Sequence, residues 1–334
     1  MSPSNLVSRI RAEVARTAPP PVLIGFSGGP DSLCLADALL SAGGRVVLAH
    51  LNHRLRGAAS DGDEVFVREF AATRGVTCIC ESIDVAAAAR ACNESIELTA
   101  RRARYAFLAR AAAQANVTCV AVAHHADDQA ETVLLRLLRG TGIEGLRAMA
   151  ARAPLPDSPE LTLLRPLLRI TRAEIERYCA DMNLQPRHDN SNDSAEHTRN
   201  RVRLELLPLL HTFNPGIKRV LARLADLASA DHDMQIWATR RAFDELASAE
   251  PGAVHVDRVG WRALPAGLQR TLLRECVRTL RSDLTNLSYD GIEEARTVLL
   301  STAAHAEIAL MADVRVNVHD TGFSVQHSDD IQNR

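Results

Sequence analysis

Short apolar runs and longer amphipathic stretches alternate along the N-terminal part of this chain. Short runs rich in β-branched residues are typical of buried strands, whereas apolar residues at helical spacing are typical of helices packed on a sheet. The predicted strands are residues 22–26, 45–51, 76–83, 117–123 and 161–168. The predicted helices are residues 6–17, 31–40, 61–74, 93–115, 129–139 and 171–182. This alternation predicts an α/β fold with a doubly wound parallel sheet.

The pattern changes after the turn sequence Asn214-Pro215-Gly216, which we take as the domain boundary. Beyond it, residues 217–246, 265–281 and 289–300 are predicted helices. Alternation over residues 307–325 predicts a β-hairpin with its turn near Asp320-Thr321-Gly322. We therefore expect one domain over residues 1–215 and a smaller, mainly helical domain over 216–334 that ends in a β-hairpin.

The first predicted strand runs into the hexad Ser27-Gly28-Gly29-Pro30-Asp31-Ser32, and a helix follows. Glycines allow backbone N–H groups to approach an anion closely, and the start of a helix adds partial positive charge. The hexad therefore predicts a phosphate site. The alternative is that it only connects a strand to a helix. A carboxylate beside a phosphate requires a bridging cation, so Asp31 predicts Mg²⁺.

Two further polar clusters follow predicted strands, at His50 to Arg56 and at His124 to Asp128. Ligands of doubly wound sheets bind beyond the carboxyl ends of the strands. We therefore expect both clusters to face the ligand, with a carboxylate of the second cluster on Mg²⁺ and one of its histidines acting on a phosphate or carrying a proton. The alternative is that Asp128 and Glu131 only cap the next helix.

Arginines form two groups. Arg101, Arg102, Arg104 and Arg110 lie on one predicted helix, where a solvated charged face is the alternative to a functional role. Arg199, Asn200, Arg201 and Arg203 precede an apolar helix. This second group would suit contacts to RNA phosphates, with a solvated face again as the alternative.

Composition limits the chemistry. A net charge of -2 over 334 residues means that any nucleic-acid surface is local. Lys218 is the only lysine, so phosphate charge must be met by arginine, metal and backbone N–H groups. The 7 cysteines include no CxxC pair, and Cys78 and Cys80 share one face of a predicted strand. We expect reduced, buried thiols in a cytoplasmic protein, with neither a signal peptide nor a membrane span.

The hexad Ser27–Ser32 resembles the pyrophosphate loop of the N-type ATP pyrophosphatases, and the motifs together resemble the tRNA(Ile)-lysidine synthases. The remaining matching strings are Asn52-His53-Arg54-Leu55-Arg56 (NHxLR), Ala100 to Tyr105 (ARxxRY), His124 to Thr132 (HHxDDQxET), Arg139-Gly140-Thr141-Gly142 (RGxG), Asp189 to Asn192 (DxSN), Arg199 to Arg203 (RNxxR) and Leu207-Pro208. The match covers Val22 to about Leu210, and His197 departs from the aromatic residue common at its position.

The resemblance implies a PP-loop ATP pyrophosphatase fold and ATP-dependent joining of free L-lysine to C2 of the wobble cytidine of tRNA(Ile) with a CAU anticodon. It implies a catalytic PP-loop domain over residues 1–215 and a domain over 216–334 that binds tRNA or substrate. It implies ATP and Mg²⁺ as cofactors, and it allows a homodimer. The implied catalytic residues are Asp31, Arg104, His124 and Asp128, with Asp31 and Asp128 on the metal. The implied nucleotide contacts are Ser27, Gly28, Gly29, Pro30, Asp31, Ser32, His50 and Asn52, and the implied tRNA contacts are Arg139, Arg199, Asn200 and Arg203.

Other functions remain open at this point. A tRNA thiolase or an amide-forming ligase such as NAD or GMP synthetase would share the loop, although a cluster-dependent thiolase needs cysteine pairs. A nucleotide-binding sensor without catalysis is a rival of a different class, and it would leave His124, Asp128 and Arg104 without a role.

Overall fold

The computed structural model describes residues 2–16, 20–187, 198–281, 283–284, 286–301 and 305–328. The motif residues Asp189 to Asn192 and His197 lie outside these ranges. The chain forms two compact units, Met1–Ser229 and Ala230–Arg334. The predicted division of roles at residue 216 stays a prediction.

In the first unit, the described residues form a six-stranded sheet in the order β3-β2-β1-β4-β6-β5. Its strands are β1 Val22–Gly25, β2 Val46–Asn52, β3 Cys78–Ser82, β4 Cys119–Ala121, β5 Arg152–Leu155 and β6 Ser158–Leu164. Every neighbouring pair is parallel except β5 with β6. The predicted parallel α/β sheet is confirmed, and its strand order reverses between β1 and β4.

Helices cover both faces of this sheet. The helices that begin in this unit are α1 Pro3–Ala15, α2 Pro30–Ser41, α3 Ala58–Arg74, α4 Val85–Cys92, α5 Ile96–Gln114, α6 Ala126–Leu138, α7 Ile143–Leu146, α8 Arg172–Asp181, α9 Thr198–Arg201 and α10 Leu207–Phe213, with a π-helical turn at Val202–Leu206. Helix α11, Ile217–Leu246, also begins here and continues beyond the unit's last residue, Ser229. Leu33 and Leu35 of α2 join one buried cluster, and Phe107 and Leu108 of α5 join another. The sheet is therefore doubly wound, as predicted.

Two local predictions were wrong in their boundaries. The helix predicted over 93–115 begins at Ile96, and a separate helix, α4, precedes it. Asn93 ends α4 in the left-handed region at φ 52°, and the Ser95 side chain caps α5, so the chain turns between them. The strand predicted over 161–168 runs over Ser158–Leu164 and pairs with β5, where no strand was predicted. Pro154 is tolerated there because β5 is an edge strand.

The second unit combines helices with a five-stranded antiparallel sheet in the order β7-β8-β11-β10-β9 among the described residues. The strands are β7 Ala247–Glu250, β8 Ala253–Asp257, β9 Ala306–Met311, β10 Val314–Val318 and β11 Gly322–His327, and the helices are α12 Arg258–Ala263, α13 Ala266–Leu280 and α14 Tyr289–Leu300. The predicted hairpin is confirmed as β10 and β11. It belongs to a larger sheet than predicted, because short strands on both sides of the helices complete it. No helix in the described part of the chain is both long enough and apolar enough to cross a membrane.

Candidate nucleotide-binding site

The hexad forms a tight loop between β1 and α2. Gly28 has φ +82°, a conformation that favours glycine, and a Cβ there would lie 3.0 Å from the Phe66 ring. The hydroxyls of Ser27 and Ser32 are 3.1 Å apart, and the backbone N–H groups of Ser27 and Gly29 donate to them. Gly29 precedes α2 without a side-chain cap. The loop therefore presents the start of a helix, which suits an anion.

The end of β2 lies beside this loop. The Nδ1 atom of His50 is 2.9 Å from the Phe26 carbonyl oxygen, which can only accept, so Nδ1 donates. Burial lowers the pKa of His50, which leaves Nε2 as an unprotonated, buried nitrogen without a hydrogen-bond partner in the described structure. Asn52 donates to Asp61 at 3.0 Å and accepts from the backbone N–H of Arg54.

A cavity of about 540 Å³ opens over the loop. Of the predicted site residues, those in its wall are Ser27, Gly29, Asp31, Ser32, His50, Asn52, Arg104, His124 and Asp128. Gly28 and Pro30 complete the loop behind this wall, whereas Arg139 is an exposed residue at the end of α6. The three polar clusters predicted at the carboxyl ends of the strands therefore meet in one cavity.

Histidines in this cavity are neutral near physiological pH. Burial lowers the pKa of His124 to about 4, although Asp128 opposes the shift. Burial also lowers the pKa of His53 to about 4, and Arg104 adds to that effect. Both residues have a buried Nδ1 atom without a hydrogen-bond partner in the described structure. Of the arginines on α5, Arg104 alone is in the cavity wall; Arg102 and Arg110 pair with surface carboxylates.

Asp31, at the start of α2, is held by an arginine that the motifs did not predict. The Nη1 atom of Arg172 donates to both carboxylate oxygens, at 2.9 and 2.7 Å. Burial raises the pKa of Asp31, and His125 and Arg172 oppose that effect. Arg172 itself is placed by its backbone N–H, which donates to Asp127 at 3.0 Å.

Asp128 takes part in a helix cap and in the site at once. His125 is the N-cap of α6, and its backbone N–H donates to Asp128 at 3.0 Å. A helix cap is therefore present at α6, as the alternative interpretation predicted, but its two residues are His125 and Asp128, not Asp128 and Glu131. Burial alone would raise the pKa of Asp128, but His125, His124 and Arg199 lower it below its usual value. The Nε2 atom of His125 lies 3.5 Å from Asp128 and 3.7 Å from Asp31, which brings the two predicted metal ligands close together.

Arg199 and Arg203 contact carboxylates of α6. Arg199 donates to Asp128 at 3.0 Å and to Glu131 at 2.9 Å, and Arg203 donates to Glu131 at 2.6 Å. Glu131 is 2% exposed, so these arginines neutralise a buried charge. The contact of Arg199, Asn200 and Arg203 with tRNA stays a prediction.

Four carboxylates of α2 and α6 therefore each meet a cation from a later part of the chain. The pairs are Asp31 with Arg172, Asp127 with Lys218, Asp128 with Arg199, and Glu131 with Arg199 and Arg203. Sequence reasoning missed Arg172 and Lys218 because neither belongs to a recognisable motif. The single available signal was that Lys218 is the only lysine.

The cysteines lie outside the cavity wall, although the Cys179 thiol donates to the Pro30 carbonyl oxygen of the loop at 3.6 Å. Cys78 and Cys80 have their Sγ atoms 3.5 Å apart on one face of β3, as predicted. Each of the 7 thiols is free; four are buried, but Cys92 is exposed, contrary to expectation. No cysteine is among the described residues of the cavity wall.

Comparisons with known proteins agree with this geometry. The family model of the PP-loop domain matches residues 4–210. A tRNA(Ile)-lysidine synthase of Geobacter sulfurreducens is 39% identical over 301 residues, covering 88% of this chain and 62% of that protein. One of Dehalococcoides mccartyi is 36% identical over 278 residues, covering 81% of this chain and 59% of the relative. The chain thus spans less than two thirds of the length of these relatives.

Solved structures show the same fold at lower identity. The U34-tRNA thiolase NcsA of Methanococcus maripaludis, solved with its [4Fe-4S] cluster, superimposes with a TM-score of 0.54 at 18% identity, covering 68% of this chain and 78% of that one. The similarity predicted from the motifs is confirmed by the sequence relatives. The family model matches more than half of the chain, and the Ser27–Ser32 loop lies in the wall of the cavity. This protein therefore belongs to the PP-loop family of ATP-binding domains.

Proposed function

We propose that this protein is a tRNA(Ile)-lysidine synthase. It would join free L-lysine to C2 of the wobble cytidine in tRNA(Ile) with a CAU anticodon, converting ATP to AMP and pyrophosphate. The observation that carries the proposal is the meeting of the Ser27–Ser32 loop with Arg104, His124 and Asp128 in one cavity. A binding module without chemistry would not need the last three residues there.

Two parts of the cavity wall suit the two ends of ATP. Phe107, Leu108 and Val122 provide apolar surface for a base, and the loop provides the phosphate seat. In the first step the C2 oxygen of cytidine attacks the α-phosphorus, and the bond to pyrophosphate breaks. In the second step the ε-amine of lysine attacks C2, the C2–oxygen bond breaks, AMP leaves with that oxygen, and the amine releases a proton.

Arg104 and His124 take different roles at the α-phosphate. The guanidinium of Arg104 supplies positive charge where negative charge develops. His124 is neutral near physiological pH, since its pKa is about 4, and therefore acts through hydrogen bonding. The cytidine must leave its stack to reach both groups, so the anticodon loop opens on binding.

Asp31 and Asp128 would hold Mg²⁺. The described residues contain no group of three or more His, Cys, Asp or Glu side chains that could hold a metal. Mg²⁺ usually keeps several waters and binds one or two carboxylates together with substrate phosphates, so two nearby carboxylates fit an ion that arrives with ATP. The ion would offset phosphate charge when bound.

The remaining roles follow the motifs. Arg139, Arg199, Asn200 and Arg203 are proposed tRNA contacts, for which Arg199 and Arg203 would have to extend from their carboxylates or present their outer N–H groups. The homodimer that the resemblance allows also stays a prediction.

The test is to incubate the protein with ATP, Mg²⁺, labelled lysine and a CAU-anticodon transcript. We expect label in the RNA, with AMP and pyrophosphate released in equal amounts. A transcript whose wobble base is uridine is the control and should stay unlabelled. Nucleotide turnover without label in the RNA would reject lysidine formation and favour an amide-forming ligase or a thiolase.

A further inference from the structure

A second charged cluster in the same cavity wall takes no part in the roles above: Arg56, Asp63 and Arg187. Asp63 is 8% exposed and lies between the two arginines. Arg56 donates through Nη2 to one carboxylate oxygen at 2.6 Å, and Arg187 donates through Nε to the other at 2.9 Å. One buried carboxylate thus fixes two guanidinium groups.

Arg187 is also attached to the phosphate loop. Its backbone N–H donates to the Gly28 carbonyl at 3.0 Å. A Cβ on Gly62 would lie 3.2 Å from its Nη2 atom, so the side chain runs closely along α3. Two contacts therefore position the Arg187 guanidinium: the backbone bond to Gly28 and the side-chain bond to Asp63.

The net charge of the cluster is positive, since two guanidinium groups share one carboxylate. The loop beside it already offers the start of a helix to an anion. Guanidinium groups bind phosphate oxygens through paired, charge-assisted hydrogen bonds. Arg56 and Arg187 therefore add two positioned side-chain cations beside a phosphate loop that is built from backbone and hydroxyl groups.

We propose that Arg56 and Arg187 bind the β- and γ-phosphates of ATP, the part that leaves as pyrophosphate, and that Asp63 is the positioning residue for both. The inference rests on the proposed function for the identity of the nucleotide. It separates the site into a pyrophosphate end at Arg56 and Arg187 and an α-phosphate end at Arg104 and His124.

The experiment measures the affinity of the whole protein for inorganic pyrophosphate and for AMP in the presence of Mg²⁺. Arg187→Met should weaken pyrophosphate binding about tenfold or more, the range expected for a lost charge-assisted contact. Asp63→Asn should weaken it several-fold, because the arginines lose their common anchor. AMP affinity should change by less than about twofold in both variants, since AMP lacks the phosphates that these residues hold.

The matched control is Arg68→Met. Arg68 lies on the same helix as Asp63 and pairs with Glu64 at 2.8 Å, outside the cavity wall. This variant should keep both affinities. The pyrophosphate affinity of Arg187→Lys should lie between those of the wild type and Arg187→Met. Lysine retains the positive charge but cannot donate the paired hydrogen bonds of a guanidinium group. If Asp63→Asn does not fold, the two Arg187 variants carry the test.

Three outcomes would overturn the inference: unchanged pyrophosphate affinity in Arg187→Met, equal losses for AMP and pyrophosphate, or a loss of tRNA affinity alone. The last would make Arg187 an RNA contact. Wild-type protein that binds pyrophosphate as described but makes no lysidine would instead reject the proposed function and leave the phosphate assignment standing.

Discussion

Single side chains in this site serve two purposes at once. Asp31 is the proposed metal ligand, yet both of its oxygens accept hydrogen bonds from Arg172. Asp128 completes a helix cap and accepts from Arg199. Because Arg172 already occupies both oxygens of Asp31, a metal ion can bind this carboxylate only if it shares or displaces Arg172. We therefore expect Arg172 to move when the nucleotide and its metal bind.

Asp31→Ala should abolish pyrophosphate release while leaving the fold intact. The variant removes the proposed metal ligand and not a helix cap, since Gly29 occupies the cap position. Turnover should fall by at least about a hundredfold. Pyrophosphate release and circular dichroism measure the two effects, and full turnover of the variant at low Mg²⁺ would refute the metal assignment.

His53 should make the protein less stable in mild acid. Burial and Arg104 lower its pKa from 6.5 to about 4, so between these values the unfolded chain binds more protons than the folded one. Stability is therefore lost as pH falls through 6.5, and the loss levels off below about 4. From about pH 7 to about pH 5 the loss from His53 amounts to about 2 kcal/mol.

The measurement is urea unfolding of wild type and His53→Gln at both pH values. The variant should lose about 2 kcal/mol less than wild type, because glutamine does not titrate. An equal pH dependence in the two proteins would show that His53 is not held neutral by its surroundings.

At the scale of elements, α9 and the following π-helical turn are tied to α6. Arg199 and Arg203 project from these segments onto Glu131, a buried residue of α6. The motifs predicted RNA contacts for both arginines, while their ion pairs with Glu131 indicate that they also hold α6 in place. If the arginines only contact tRNA, their removal should leave stability unchanged, whereas a role in pairing with Glu131 predicts a loss of stability.

Arg199→Ala combined with Arg203→Ala should lower the free energy of unfolding by about 3 kcal/mol, because the charge of Glu131 is left buried without a partner. Adding Glu131→Gln should restore much of that stability. If the arginines also contact tRNA, the double variant should flatten the salt dependence of tRNA binding by about one unit per contact. Unchanged stability and unchanged tRNA affinity together would assign both residues to a solvated surface.

Strand β3 carries the cysteine pair and lies at the edge of the sheet. Replacing Cys78 with alanine and Cys80 with serine should keep activity within a few-fold, because neither thiol is in the cavity wall. Activity and bound metal are measured together, with Cys276→Ser in the second unit as the control. Loss of bound iron or zinc along with activity would favour a thiolase.

At the scale of the whole molecule, the cavity wall lies within the first compact unit. ATP with Mg²⁺ should therefore raise the unfolding temperature of that unit. At a ligand concentration about a hundred times its Kd the stabilisation is about 2.7 kcal/mol. Scanning calorimetry with and without a chelator tests this, and an equal shift in both conditions would show that ATP binds without the metal.

The sequence by itself determined the parallel sheet, the phosphate loop and the three polar clusters that meet over it. Each is a local signal: apolar periodicity sets strand and helix, glycines at 28 and 29 set the turn, and the carboxyl ends of parallel strands share one edge. The same locality explains the terminal hairpin, whose alternation is visible in β10 and β11.

Only the tertiary structure decided which charges meet. Arg172 reaches Asp31 across 141 positions and Arg187 reaches Asp63 across 124, and no local pattern specifies such pairs. The same holds for β5, which contains Pro154 and was not predicted as a strand; it forms one because it pairs with the edge of β6. Partner choice depends on which elements pack together, and that is a property of the folded chain.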